Sequence, residues 1–97
     1  MQMRLTVAQI NMIRNTIWKI LGSASLIWLF GSRVDDTRRG GDVDIYVEPG
    51  QEKQLMSILK CKVALEEGLD LHVDLIVKES GKEKPIYQLA KSQGVQL

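Results

Sequence analysis

The sequence predicts an α/β (α+β) domain in which a small mixed β-sheet carries helices packed mainly on one face. Three observations lead there. Apolar residues recur at helical spacing before residue 22 and again between Leu55 and Val63. Leu26 to Phe30 is a short apolar run bounded by Ser and Gly. Two further segments, Asp42 to Val47 and Leu71 to Val77, alternate with the two-residue period of a strand.

The first helix is marked at both ends. Val7, Ile10, Ile13, Ile17, Ile20 and Leu21 line one face, Thr6 with Gln9 three residues on forms a capping box, and Gly22 suits a helix stop. Leu26-Ile27-Trp28-Leu29-Phe30 reads as a strand buried on both faces. Arg33 to Gly41 is polar, closes with Gly40-Gly41 and reads as a loop. In the next strand Asp42, Asp44 and Tyr46 share one face, and Val43, Ile45 and Val47 share the other. Pro49-Gly50 ends it. Leu55, Leu59 and Val63 then predict the apolar face of a second helix that runs to Gly68, with Lys and Glu on its outer face. In the third strand His72, Asp74 and Ile76 oppose Leu71, Val73, Leu75 and Val77. Ser80-Gly81 turns the chain, Pro85 opens a short last helix through Ile86, Leu89 and Ala90, and Gly94 ends it.

A chain of 97 residues is expected to form a single domain over residues 1–97. Thirteen basic and twelve acidic residues leave a formal charge of +1, which provides no broad positive field and argues against direct nucleic-acid binding. The single cysteine, Cys61, closes no internal disulfide and reads as a small packing residue. No apolar stretch approaches the length of a membrane span, and no signal-peptide pattern opens the chain. A cytoplasmic protein with no membrane contact is the expectation.

The chemistry concentrates in Gly31-Ser32, Asp42-Val43-Asp44 and Asp74. Two residues apart on a strand, Asp42 and Asp44 stand about 6.6 Å apart at the backbone, so their carboxylates can converge on a hard cation such as Mg²⁺. A third carboxylate, from Asp74 on another strand, completes a site for two ions of the kind that drive phosphoryl and nucleotidyl transfer. Carboxylates gathered this way repel one another unless a cation is bound. Gly31 admits a phosphate close to its backbone, and Ser32 offers a hydroxyl and an amide to it. Arg33, Arg38 and Arg39 share the connection and can neutralise charge on a triphosphate tail. A P-loop is excluded because Gly81-Lys82 is followed by Glu83. Asp35 and Asp36 read as loop solubilisers, His72 as an exposed or structural residue, and Trp18 and Trp28 as core or interface anchors.

The segment GSRVDDTRRGGDVD, followed later by VDLIV, resembles the nucleotidyltransferase superfamily that includes DNA polymerase beta. The resemblance extends over nearly the whole chain, and its length is similar to the minimal prokaryotic members. It implies the nucleotidyltransferase fold, nucleotide binding by Gly31, Ser32 and Arg33, and two Mg²⁺ ions held by the catalytic Asp42, Asp44 and Asp74. Many minimal members are antitoxins of HEPN-domain toxins, all-helical ribonucleases, and some move AMP from ATP onto a toxin tyrosine. The resemblance therefore implies an Mg²⁺-dependent protein adenylyltransferase with ATP as substrate and a HEPN toxin as partner. An alternative is a non-catalytic antitoxin that neutralises its toxin by contact. Homo- or hetero-oligomers are compatible with either.

Overall fold

The computed structural model describes residues 5–31 and 42–97. Its elements run α1 (Val7–Leu21), β1 (Leu26–Phe30), β2 (Asp42–Glu48), α2 (Leu55–Leu69), β3 (His72–Val77), α3 (Pro85–Gln93) and β4 (Val95–Gln96). The sheet order is β3-β2-β1-β4. β1 pairs antiparallel with both β2 and β4, while β2 and β3 are parallel, so the sheet is mixed. A parallel pair cannot be joined by a hairpin, and α2 supplies the crossover between β2 and β3.

α1 begins where the capping box predicts. Thr6 Oγ1 accepts from the Gln9 N–H at 3.1 Å, and Gln9 Oε1 accepts from the Thr6 N–H at 2.8 Å. Gly22 ends the helix at φ +106°, donating its N–H to the Trp18 carbonyl. Ile13, Ile17 and Leu21 face inward and are fully buried.

The sheet sorts its residues by strand alternation. Ile27, Leu29, Val43, Ile45, Val47 and Val73 form the main core with α1 and α2 on one face. Trp28, Phe30 and Tyr46 pack with Tyr87 and Ala90 of α3 on the other. Two helices thus cover one face and the third lies across part of the opposite one. β1 is buried on both sides except at Leu26, which is 47% exposed at the strand's start. Trp28 is a core residue; Trp18 is half-exposed and donates its indole N–H to the Ser25 carbonyl at 3.1 Å. Cys61 is buried, as a packing residue should be, and burial pushes its thiol up to about 11. Among the described residues no helix is long and apolar enough to cross a membrane.

Three features differ from the sequence expectation. The first is the orientation of α2: its buried residues are Cys61, Leu65 and Leu69, whereas Leu55, Leu59 and Val63 are exposed. α2 is apolar on two sides, and the four-residue repeat marked the side that neither α1 nor the sheet covers. The second is its end. Helix α2 passes through Gly68 to Leu69, and Asp70 takes the left-handed turn at φ +54°. Gly68 serves close packing instead, because a Cβ there would overlap Met12 Cε of α1. The third is β4, too short to show a period; its pairing to Trp28 and Leu29 is decided by where α3 releases the chain.

The face of α2 is testable by truncation. Leu65→Ala is expected to cost about 2–5 kcal/mol in a denaturant titration, the usual range for emptying a packed core site. Leu59→Ala, on the exposed side, is expected to stay within about 1 kcal/mol of wild type.

Candidate functional site

The site lies where β1 ends and the parallel strands β2 and β3 begin. Alternation along β2 sends Val43 and Ile45 into the core with no exposure, and Asp44 to the opposite face. The parallel register sets Asp44 directly beside Asp74, and Asp42 beside His72. Residues in register on neighbouring strands point to the same face about 4.8 Å apart, so Asp44 and Asp74 stand side by side on one face. Asp44 is half-buried and Asp74 is exposed.

β1 brings the glycine to the same place. Phe30 is in register with Asp44, and the next residue, Gly31, has φ +76°. A Cβ at Gly31 would overlap the Asp44 carboxylate, with Cγ at 2.9 Å. Only glycine fits both that left-handed backbone and that approach. Of the residues expected to act together, Gly31, Asp44 and Asp74 are therefore brought together, and Asp42 takes its place on β2 through its backbone. The side chain of Asp42 lies outside the described residues, as do Ser32, Arg33, Arg38, Arg39, Asp35, Asp36 and the loop predicted from Arg33 to Gly41.

Among the described residues no three ligating side chains form a cluster. Asp44 and Asp74 nevertheless offer hard oxygen donors in register, and the space kept clear at Gly31 adjoins one of them. This donor set suits Mg²⁺, which prefers a few carboxylates and retains room for phosphate oxygens and water.

Beyond the acids the same face changes character. Tyr46 follows Asp44 on that side, is fully buried, and stacks on Tyr87 of α3 at a centroid distance of 5.3 Å. Its hydroxyl donates to Glu48 Oε2 at 2.7 Å, and Lys91 Nζ reaches the same oxygen at 3.1 Å while lying 5.4 Å from the Trp28 ring centroid. α3 is thereby clamped over the Tyr46 half of the face. On β3, His72 Nδ1 stands 3.5 Å from Glu66 Oε2, and that carboxylate also accepts from the Val73 N–H at 2.9 Å. The sequence reading had no reason to single out Glu66, which sits in no motif.

A model of the family "Polymerase beta, Nucleotidyltransferase" matches residues 15–96. A chain in the crystal structure of a mutant of the toxin-antitoxin MntA-HpeT is 26% identical, with a TM-score of 0.74 over 90% of this chain and 68% of that one. A toxin-antitoxin structure with AMP-PNP matches at 28% identity and TM-score 0.67, covering 86% of this chain and 70% of that chain. A third, the tri-AMPylated Shewanella oneidensis HEPN toxin in complex with MNT antitoxin, matches at 27% identity and TM-score 0.62, covering 89% and 69%. A comparison with curated proteins finds no match.

The clamp beside the acids has a pH signature. Burial alone would raise the Glu48 carboxyl, but the hydrogen bonds from Tyr46 and Lys91 outweigh it and hold the carboxyl below its ordinary value of 4.5. Burial and then the Glu48 carboxylate push the Tyr46 phenol upward. A carboxyl held low in the fold contributes stability that is complete above pH 4.5 and is lost as the pH falls through its lowered value. Glu48→Gln is expected to cost about 1 kcal/mol at neutral pH, and the gap to wild type should narrow in acid melts as the pH falls below 4.5.

Proposed function

Because the chain belongs to the polymerase beta nucleotidyltransferase family, we propose that it transfers AMP from ATP to a tyrosine hydroxyl of a partner HEPN toxin, acting as the antitoxin of that pair. The observation that carries this reading is the juxtaposition of Gly31, Asp44 and Asp74, a side-chain-free approach beside two carboxylates held in register. The likeness to toxin-antitoxin structures, one with AMP-PNP and one with an AMPylated toxin, supports the substrate and the partner. The reading includes one domain over residues 1–97 and a place in the cytoplasm, where ATP and a toxin would both be met.

In this mechanism Gly31 lets the triphosphate approach the end of β1, with Ser32 and Arg33 binding its phosphates. Asp42, Asp44 and Asp74 would hold two Mg²⁺ ions, which supply charge neutralisation to the attacking and leaving oxygens. Asp74, the exposed acid, lies toward the solvent from which the acceptor enters and takes the hydroxyl proton. The oxygen–phosphorus bond to the α-phosphorus forms as the bond to pyrophosphate breaks, in line. In this reading the acceptor is a tyrosine hydroxyl of the partner toxin.

Asp44→Asn removes the whole negative charge of the central carboxylate, and one of its two acceptor oxygens, at nearly unchanged size. It is expected to abolish the ATP-dependent mass increase of about 329 Da per AMP on the toxin, at least a hundredfold in rate on the scale of lost electrostatic stabilisation. Transfer that persists at the wild-type rate would remove the acids from the chemistry.

One observation favours the contact-only reading: Leu55, Met56, Leu59 and Val63 expose a contiguous aliphatic stripe on α2, on the layer opposite the acids. The two readings separate on a single variant. With transfer as the function, Asp44→Asn should still bind the toxin within a few fold in calorimetry, yet fail to relieve growth arrest. Neutralisation equal to wild type would instead establish contact as the function.

A further inference from the structure

We propose that Glu66 is a positioning residue of the acid site, fixing the start of β3 so that Asp74 stands beside Asp44. This rests on the reading of the site as a metal-dependent transfer centre. Among the described residues β3 is the edge strand of the sheet, paired to β2 on one side only. Edge strands open most readily at their ends, because their outward N–H groups have no ladder partner. Asp74 is only the third residue of β3, close to such an end.

Glu66 supplies the partner that the edge lacks. From the last turns of α2 its Oε2 accepts from the Val73 N–H at 2.9 Å, and the same oxygen lies 3.5 Å from His72 Nδ1. One carboxylate thus engages the two residues that immediately precede Asp74. Val73 also anchors its side chain in the core with no exposure, so the peptide carrying Asp74 is held from the core and from the helix. Setting Asp44 beside Asp74 creates repulsion that acts to part the strands near their start, and the bond from Glu66 opposes that movement. Groups that orient a metal ligand commonly change affinity tenfold or more when removed, although they never touch the ion.

The test compares Glu66→Met, which keeps the stem and loses the acceptor, with Glu66→Gln, whose carbonyl can still accept from Val73. Mn²⁺ affinity is measured by electron paramagnetic resonance in the presence of AMP-PNP, and Val73 amide exchange by NMR. Glu66→Met is expected to bind Mn²⁺ about tenfold more weakly and to exchange the Val73 amide faster, with the melting temperature lowered by no more than the loss of about one hydrogen bond, whereas Glu66→Gln stays within about threefold of wild type in affinity and exchange. Should Glu66→Met not fold, Glu66→Asp, one methylene short of the Val73 N–H, is expected to lose the same affinity. Wild-type affinity in Glu66→Met or Glu66→Asp, or an equal loss in Glu66→Gln, overturns the role of Glu66 alone. A wild-type protein that binds no Mn²⁺ under these conditions overturns the transfer site itself, and this role with it.

Discussion

The parallel register of β2 on β3 is the constraint on which the rest of the molecule depends. Val43, Ile45, Val47 and Val73 are fully buried against α1 and α2, and that burial allows only one alignment. A slip of one residue would turn carboxylates into the core and valines into solvent, reversing both burial terms at once. The hydrophobic side of the sheet therefore sets the position of Asp44 beside Asp74 on the polar side. Packing energy is spent on one face and geometry is delivered on the other.

The polar face is itself divided. Near the start of β2 it carries acids; two residues on from Asp44, Tyr46 begins a buried aromatic layer under α3. Glu48, Lys91 and the Tyr46 hydroxyl tie that layer together in a small hydrogen-bonded network. Its members satisfy one another, which lets polar groups lie next to a hydrophobic cluster at little cost. The packing of the covered half is thereby independent of the acids beside it. Gly31 sits at this boundary, where a methyl group would already intrude on Asp44.

Helix α2 joins the two layers. Its inner side, through Cys61, Leu65 and Leu69, belongs to the core; its last turns hold the edge of β3 through Glu66; and its outer side presents aliphatic side chains. Gly68 makes this possible by letting α1 approach closely enough for Met12 to occupy the space of a missing side chain. A single helix thus links the packing of the domain, the placement of an acid and an apolar surface.

Much was legible in the chain itself, because the signals were local. Thr6 and Gln9 cap a helix through bonds within one turn; a two-residue period put Asp42 and Asp44 on one side of their strand and Asp74 on one side of its own; the glycine-serine pair and its spacing to the acids named the family. What required the tertiary structure was every choice between equivalent local options. α2 had two apolar sides, and only the positions of α1 and the sheet decided which was buried. β4 had no period, and only the exit of α3 onto β1 made it a strand. Glu66 had no motif, and only the folding of α2 against the sheet edge brought it to Val73. Periodicity records how a segment can present its side chains, whereas the partner that receives them is settled by contacts between residues far apart in sequence.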